Sequence, residues 1–88
     1  MAIEEMIDRA VRLELTIEIE YCTRSGRVFT CMISDIVYSQ YYGGGYIQAF
    51  RLDMEEDRTF KVSRILKVNG HSFSRIFWNQ LGDSFYRI

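Results

Sequence analysis

The side chains best suited to chemistry lie in one run, Arg58-Thr59-Phe60-Lys61-Val62-Ser63-Arg64. An arginine presents a flat fork of donors that meets a phosphate or carboxylate in two places at once. Tyr46, Phe50 and Phe60 could give a nucleic-acid base a ring to stack on. Together, Arg58, Arg64 and Tyr46 would form an anion site for a nucleotide or a short single strand. Each residue also has a plainer reading. Phe50 and Phe60 are of a type more often packed in a core, and Arg58 of a type more often in water. Tyr46 and Arg64 divide evenly. The tyrosine hydroxyl wants a partner or water, and Arg64 interrupts an otherwise continuous β run.

Other chemistries find little support. Gly43-Gly44-Gly45 sits between two strand-like runs with no helix after it, so it lacks the context of a phosphate loop. One histidine, His71, and no CxxC spacing make a metal site a poor expectation. Cys22 and Cys31 flank a turn centred on Arg24-Ser25-Gly26, and antiparallel pairing about that turn sets Cys31 opposite Ile19 rather than Cys22. Reduced thiols are therefore expected, not a disulfide. The carboxylates fall where solvated strand faces and turns put them. No enzyme activity, cofactor or metal is expected.

The elements that must position the arginines follow from the hydrophobic period. Ile3, Met6, Ile7, Ala10 and Val11 recur at helical spacing, with Glu4 and Glu5 in the first turn and Arg9 and Arg12 near the end, so a helix is expected over 1–12. The period then falls to two. Leu13, Leu15, Ile17, Ile19 and Tyr21 alternate with Glu14, Thr16, Glu18 and Glu20, the pattern of a half-buried strand with an acidic outer face. Further β runs are expected at Arg27–Ser34, Ile36–Tyr42, Tyr46–Leu52, Arg58–Val62 and Ile65–Val68. Within the run from Tyr46, alternation puts Tyr46, Phe50 and Leu52 on one face and Ile47 and Ala49 on the other. Five or six short strands with tight turns suggest a small, strongly bent antiparallel barrel over 13–69. Phe73, Ile76, Phe77 and Leu81 return to helical spacing, so a short helix is expected over 72–82, followed by an aromatic tail over 83–88. Trp78 falls off that stripe and is a candidate interface anchor.

Eighty-eight residues are enough for one core and not two. An apolar fraction of 48% argues against disorder. No run reaches the length of a membrane span, and the acidic N-terminus is unlike a signal peptide, so a cytoplasmic domain is expected. The net charge of −1 conceals a split. Residues 1–57 hold five basic and eleven acidic groups, a sum of −6, while residues 58–88 hold six basic groups and one acidic, a sum of +5. Such a split can place a basic surface on a nearly neutral protein.

The stretch from Ile7 to Val68 resembles the WYL domain, a module found mostly in bacterial regulators. IDRAVRLELTIEIEY matches its helix-to-strand passage and GRVFTCMIS its second strand. In YIQAFRLDMEEDRTFKVSRILKV, Tyr46 and Ile47 fill the Tyr and Leu places and Ala49-Phe50 the Ala-aromatic pair. Arg58, Phe60, Arg64 and Ile65 fill the closing run in register. Gly45 stands where the family has tryptophan, Ser34 where it usually has proline, and Ser63 where it usually has aspartate. The resemblance implies an Sm-like barrel packed on an N-terminal helix, acting as a ligand-sensing module for nucleotides or single-stranded nucleic acid. It places the residues around the aromatic strand and the final arginine at the ligand pocket, and Tyr46, Arg58, Phe60 and Arg64 are the ligand-binding residues expected here. WYL domains usually follow a winged helix, for which this chain has no room, so a stand-alone sensor or partner-binding subunit is implied. The other reading open to the sequence is a protein-interaction or self-assembly module, built on Trp78, the aromatic tail and unpaired strand edges.

Overall fold

The computed structural model describes residues 2–39 and 45–71. It is mainly β, with one helix packed on a five-stranded antiparallel sheet. Helix α1 (Ile3–Leu13) turns Ile3, Ile7 and Ala10 into the core, as the stripe requires. Its start is fixed by Glu5, whose carboxylate accepts the Ala2 N–H at 2.7 Å, satisfying a donor that the first turn leaves open. Its end is fixed at Glu14, in the left-handed region at φ 54, which sends the Leu15 N–H back to the Ala10 carbonyl at 3.0 Å. The helix thus claims Leu13, which is exposed, and the first strand begins later than alternation suggests.

The strands are β1 (Ile17–Cys22), β2 (Val28–Tyr38), β3 (Tyr46–Arg51), β4 (Glu56–Lys61) and β5 (Ile65–Val68), with a 3-10 turn (Val62–Arg64) between the last two. Their order across the sheet is β4-β3-β2-β1-β5. The expected runs at Arg27–Ser34 and Ile36–Tyr42 are one strand through Tyr38, bent at a bulge. Asp35 takes φ 52 and the register with β3 shifts between Ser34 and Val37. A residue added to one side of a ladder kinks the strand without ending it, which is why the period breaks there. Cys31 pairs with Ile19 and both cysteines are free.

One face of the sheet makes the core. Ile17 and Ile19 of β1, Ile33 of β2, Ile47 of β3 and Val68 of β5 are all buried, joined by Ala49, Phe60 and Ile65. Each aliphatic side chain removed from water contributes about 1.5–3 kcal/mol. Leu15 packs at the margin of this core, while Glu18 and Glu20 lie half-buried on the opposite face. On β3 the buried pair is Ile47 and Ala49, so Phe50 is on the outer face and only half-buried. The commoner expectation for Phe50, a core place, is thereby corrected.

The barrel is not closed. β4 and β5 form the two edges of the sheet, with no ladder between them. The expected C-terminal helix, the tail and Trp78 lie outside the described residues. Among the described residues no helix is long and apolar enough to cross a membrane.

Candidate functional site

Three segments that are far apart in sequence meet near the open side of the sheet. The β3–β4 register pairs Tyr46 with Lys61 and Gln48 with Thr59. Since Ile47 is in the core, Tyr46, Lys61 and Thr59 all stand on the outer face. The Lys61 Nζ is 5.8 Å from the centre of the Tyr46 ring, within the range of a cation–π contact. The 3-10 turn that follows places half-buried Arg64 beside them. From the other side comes the β1–β2 turn. Its geometry is set by Thr23, whose N–H donates to the Arg27 carbonyl at 2.7 Å and whose hydroxyl accepts the Arg27 N–H at 3.0 Å. Gly26 completes that turn at φ 94, a conformation open to glycine without strain.

Between these walls is a cleft of about 460 Å³ lined by Tyr21, Thr23, Arg24, Tyr46, Thr59, Lys61 and Arg64. Three of the seven are cationic and none is acidic. Nine arginines and lysines are described, and four of them, Arg12, Arg51, Arg58 and Lys67, are held by carboxylates. Of the five that have no ion pair with a described residue, Arg24, Lys61 and Arg64 all face this cleft. Like charges gathered without a counter-ion repel, and an anion placed among them relieves that repulsion. The hydroxyls of Thr23 and Thr59 add neutral donors.

One hydrogen bond joins the two walls. The Lys61 N–H donates to the Tyr21 hydroxyl at 2.9 Å, across forty residues of chain. The Tyr21 ring meets Phe60 edge-on at 5.0 Å and Phe29 at 5.8 Å. Phe60 itself is 3% exposed. Its ring supports the wall from behind and offers no face to a ligand.

The residues singled out by sequence therefore separate. Tyr46 and Arg64 come together at the cleft. Arg58 does not join them: it pairs with Ala49 on the opposite face of β4, forms an ion pair with Glu56, and reaches the Met54 sulfur at 3.6 Å. Arg24, Lys61, Tyr21 and Thr59 join the site without a signal in the sequence pattern used above. The hairpin register could have supplied Lys61 and Thr59 once Tyr46 was chosen. Nothing local marks Arg24, because its place depends on how the sheet bends.

A second basic group shows what a satisfied cation looks like here. Arg51 is largely covered, lies 4.3 Å over the Phe29 ring, and donates to both Asp53 oxygens at 2.7 and 3.1 Å. That pair holds the Asp53 carboxyl below its ordinary range and raises Arg51, while burial raises the neighbouring Cys31 thiol. Among the described residues no group of three His, Cys, Asp or Glu side chains could hold a metal ion. Comparison with protein-family models, curated proteins and solved structures finds no match for the chain.

Proposed function

We propose that this protein is a non-enzymatic sensing or regulatory module of WYL type. It binds a nucleotide or a short single-stranded nucleic acid in the cleft between the β1–β2 turn and the end of β4. The single observation that supports this reading is the composition of that cleft: three cations that have no carboxylate partner among the described residues, no acidic lining residue, and two tyrosines. Arg24, Lys61 and Arg64 hold phosphate, and Tyr46 offers a ring edge or face to a base. The WYL resemblance adds support, because Tyr46 and Arg64 are two of the positions it assigns to the ligand. Arg58 is assigned a role within its own strand, with Glu56. A cytoplasmic, bacterial setting goes with this reading.

Fluorescence anisotropy of a labelled oligothymidylate, measured at two salt concentrations, tests it. Binding is expected to weaken as salt rises, since phosphate contacts release counter-ions. Arg64→Ala is expected to weaken it further, and equal binding by this variant and the wild type would refute the site.

A second reading has its own observation. On the outer face of β2, Met32 and Val37 are 40% and 52% exposed, and Leu52, just past the end of β3, is 40% exposed, beside half-buried Phe50. Such a patch suits a protein partner or a second copy. Light scattering at high concentration separates the two readings, with a monomer unchanged by Met32→Ser favouring the ligand alone.

A further inference from the structure

The cleft lies where the sheet is least held together. β1 pairs with β5 only as far as Tyr21, which is opposite Ile65. Beyond that point the β1–β2 turn overhangs, with no strand beside it on that side among the described residues. β4 is likewise an edge, paired with β3 alone. Arg24 sits on the overhanging wall, while Lys61 and Arg64 sit on the other. The walls carry charge of one sign, so without an anion they push apart. Against that push stand the hydrogen bond from Lys61 N–H to Tyr21 and the aromatic contacts of the Tyr21 ring.

The direction of that hydrogen bond matters. The Val62 N–H turns toward β3, donating to the Gly45 carbonyl at 2.8 Å. In an extended chain the preceding N–H points the opposite way, off the edge of the sheet. The Tyr21 hydroxyl meets it there, and so fixes the distance between the overhanging turn and the residue that carries the Lys61 ammonium. Tyr21 touches both walls through separate atoms: its backbone belongs to β1 and its hydroxyl to β4.

We propose that Tyr21 is the positioning residue of this site. Its hydroxyl ties the β1–β2 turn to β4, so that an anion held between Arg24 on one wall and Lys61 and Arg64 on the other clasps the open side of the sheet. The proposal rests on the anion-site reading above and extends it from binding to signal, because the occupied cleft differs from the empty one in how firmly the turn is held. A ligand that contacts both walls shifts the turn toward its held state by no more than its preference for that state.

Amide hydrogen exchange with and without the oligothymidylate, in the whole chain, tests this directly. The Cys22–Arg27 and Thr59–Lys61 amides are expected to slow on binding by about two- to tenfold, the range of one net hydrogen bond. Amides of α1 are expected not to change. Arg24→Ala should still bind through Lys61 and Arg64, more weakly, but should lose the slowing at the turn. Tyr21→Phe should speed exchange at Lys61 in the free protein and weaken oligothymidylate binding. Phe29→Leu loosens the same aromatic group without touching the Lys61 N–H. It therefore serves as the control for a merely structural role.

The outcomes divide cleanly. Oligothymidylate binding with no slowing at the turn overturns the clasp and leaves the site standing. Equal loss of binding in Tyr21→Phe and Phe29→Leu overturns the positioning role. No binding by the wild type removes the site, and the clasp with it.

Discussion

The core face of the sheet and the cleft at its open side are built from neighbouring residues by opposite means. Ile17, Ile19, Ile33, Ile47 and Val68 are buried completely and gain nothing from orientation beyond close packing. The cleft gathers Arg24, Lys61 and Arg64 without carboxylate partners among the described residues. The core stabilises the fold because water is removed from it. The cleft weakens the fold locally, because its charges repel and one wall overhangs. The difference teaches that the two can be separated by substitution: a change in the core should cost folding with little selective effect on anions, and a change in the cleft should do the reverse.

The largest effect should come from the core. Ile17→Ala removes a fully buried side chain from the core cluster, and is expected to cost about 2–5 kcal/mol in urea unfolding. That is a large fraction of the stability of a domain this small. Anion affinity in the fraction that remains folded should be close to that of the wild type, and a selective loss of affinity would blur the comparison.

Next comes the contrast between two arginines six residues apart. Arg64→Ala removes a cation from the cleft and should weaken oligothymidylate binding by about tenfold or more, the worth of a hydrogen bond to a charged group. Arg58→Ala changes the net charge equally but removes a residue already bound to Glu56 on the opposite face of β4. Its effect should be small. Parallel anisotropy titrations of the two variants would sharpen the account if they differ and break it if Arg58 matters as much.

Acid should act on other groups. Asp53, beside Arg51, and Asp8, bound by Arg12 and the Tyr38 hydroxyl, both lie below the ordinary carboxylate range. A carboxyl depressed in the folded state stabilises it fully above the unfolded value, and that contribution is lost as pH falls through the folded value. Stability should therefore decline in the acid range below ordinary carboxylate values. Asp53→Asn should make the decline shallower, as read from urea midpoints across pH. The smallest effect expected is that of Glu18→Ala, under about half a kcal/mol, because its side chain is on the outer face and half-exposed. If it proved more damaging than Ile17→Ala, the assignment of the two faces would be wrong.

How far each region can be read from sequence follows from the same contrast. Period-two alternation carries the core, so Ile17, Ile19, Ile47 and Ala49 were legible, and the turn at Arg24-Ser25-Gly26 set the Ile19–Cys31 register. Alternation failed where one residue broke it. The Asp35 bulge made one strand read as two, and the left-handed Glu14 let the helix keep Leu13. A single positive φ leaves almost no trace in composition. Aromatic type points Phe50 toward the core, but Ile47 and Ala49 define the buried face of β3 and leave Phe50 on the other. The cleft was half legible. Tyr46 and Arg64 are legible, but the Arg-x-Phe-x-x-x-Arg run groups Arg58 with them, although the strand turns it to the other face. Arg24 and Tyr21 could not be found, since they reach the site only through the bending of the sheet.

The measurement that bears most directly on the cleft is a titration of the isotope-labelled protein with oligothymidylate, followed by amide chemical shifts. The account predicts that the largest shifts gather at Thr23, Arg24, Tyr46, Thr59, Lys61 and Arg64, with Arg9, Arg12 and Arg58 little moved. Shifts centred on Arg58 or α1, or spread evenly over every basic residue, would contradict it.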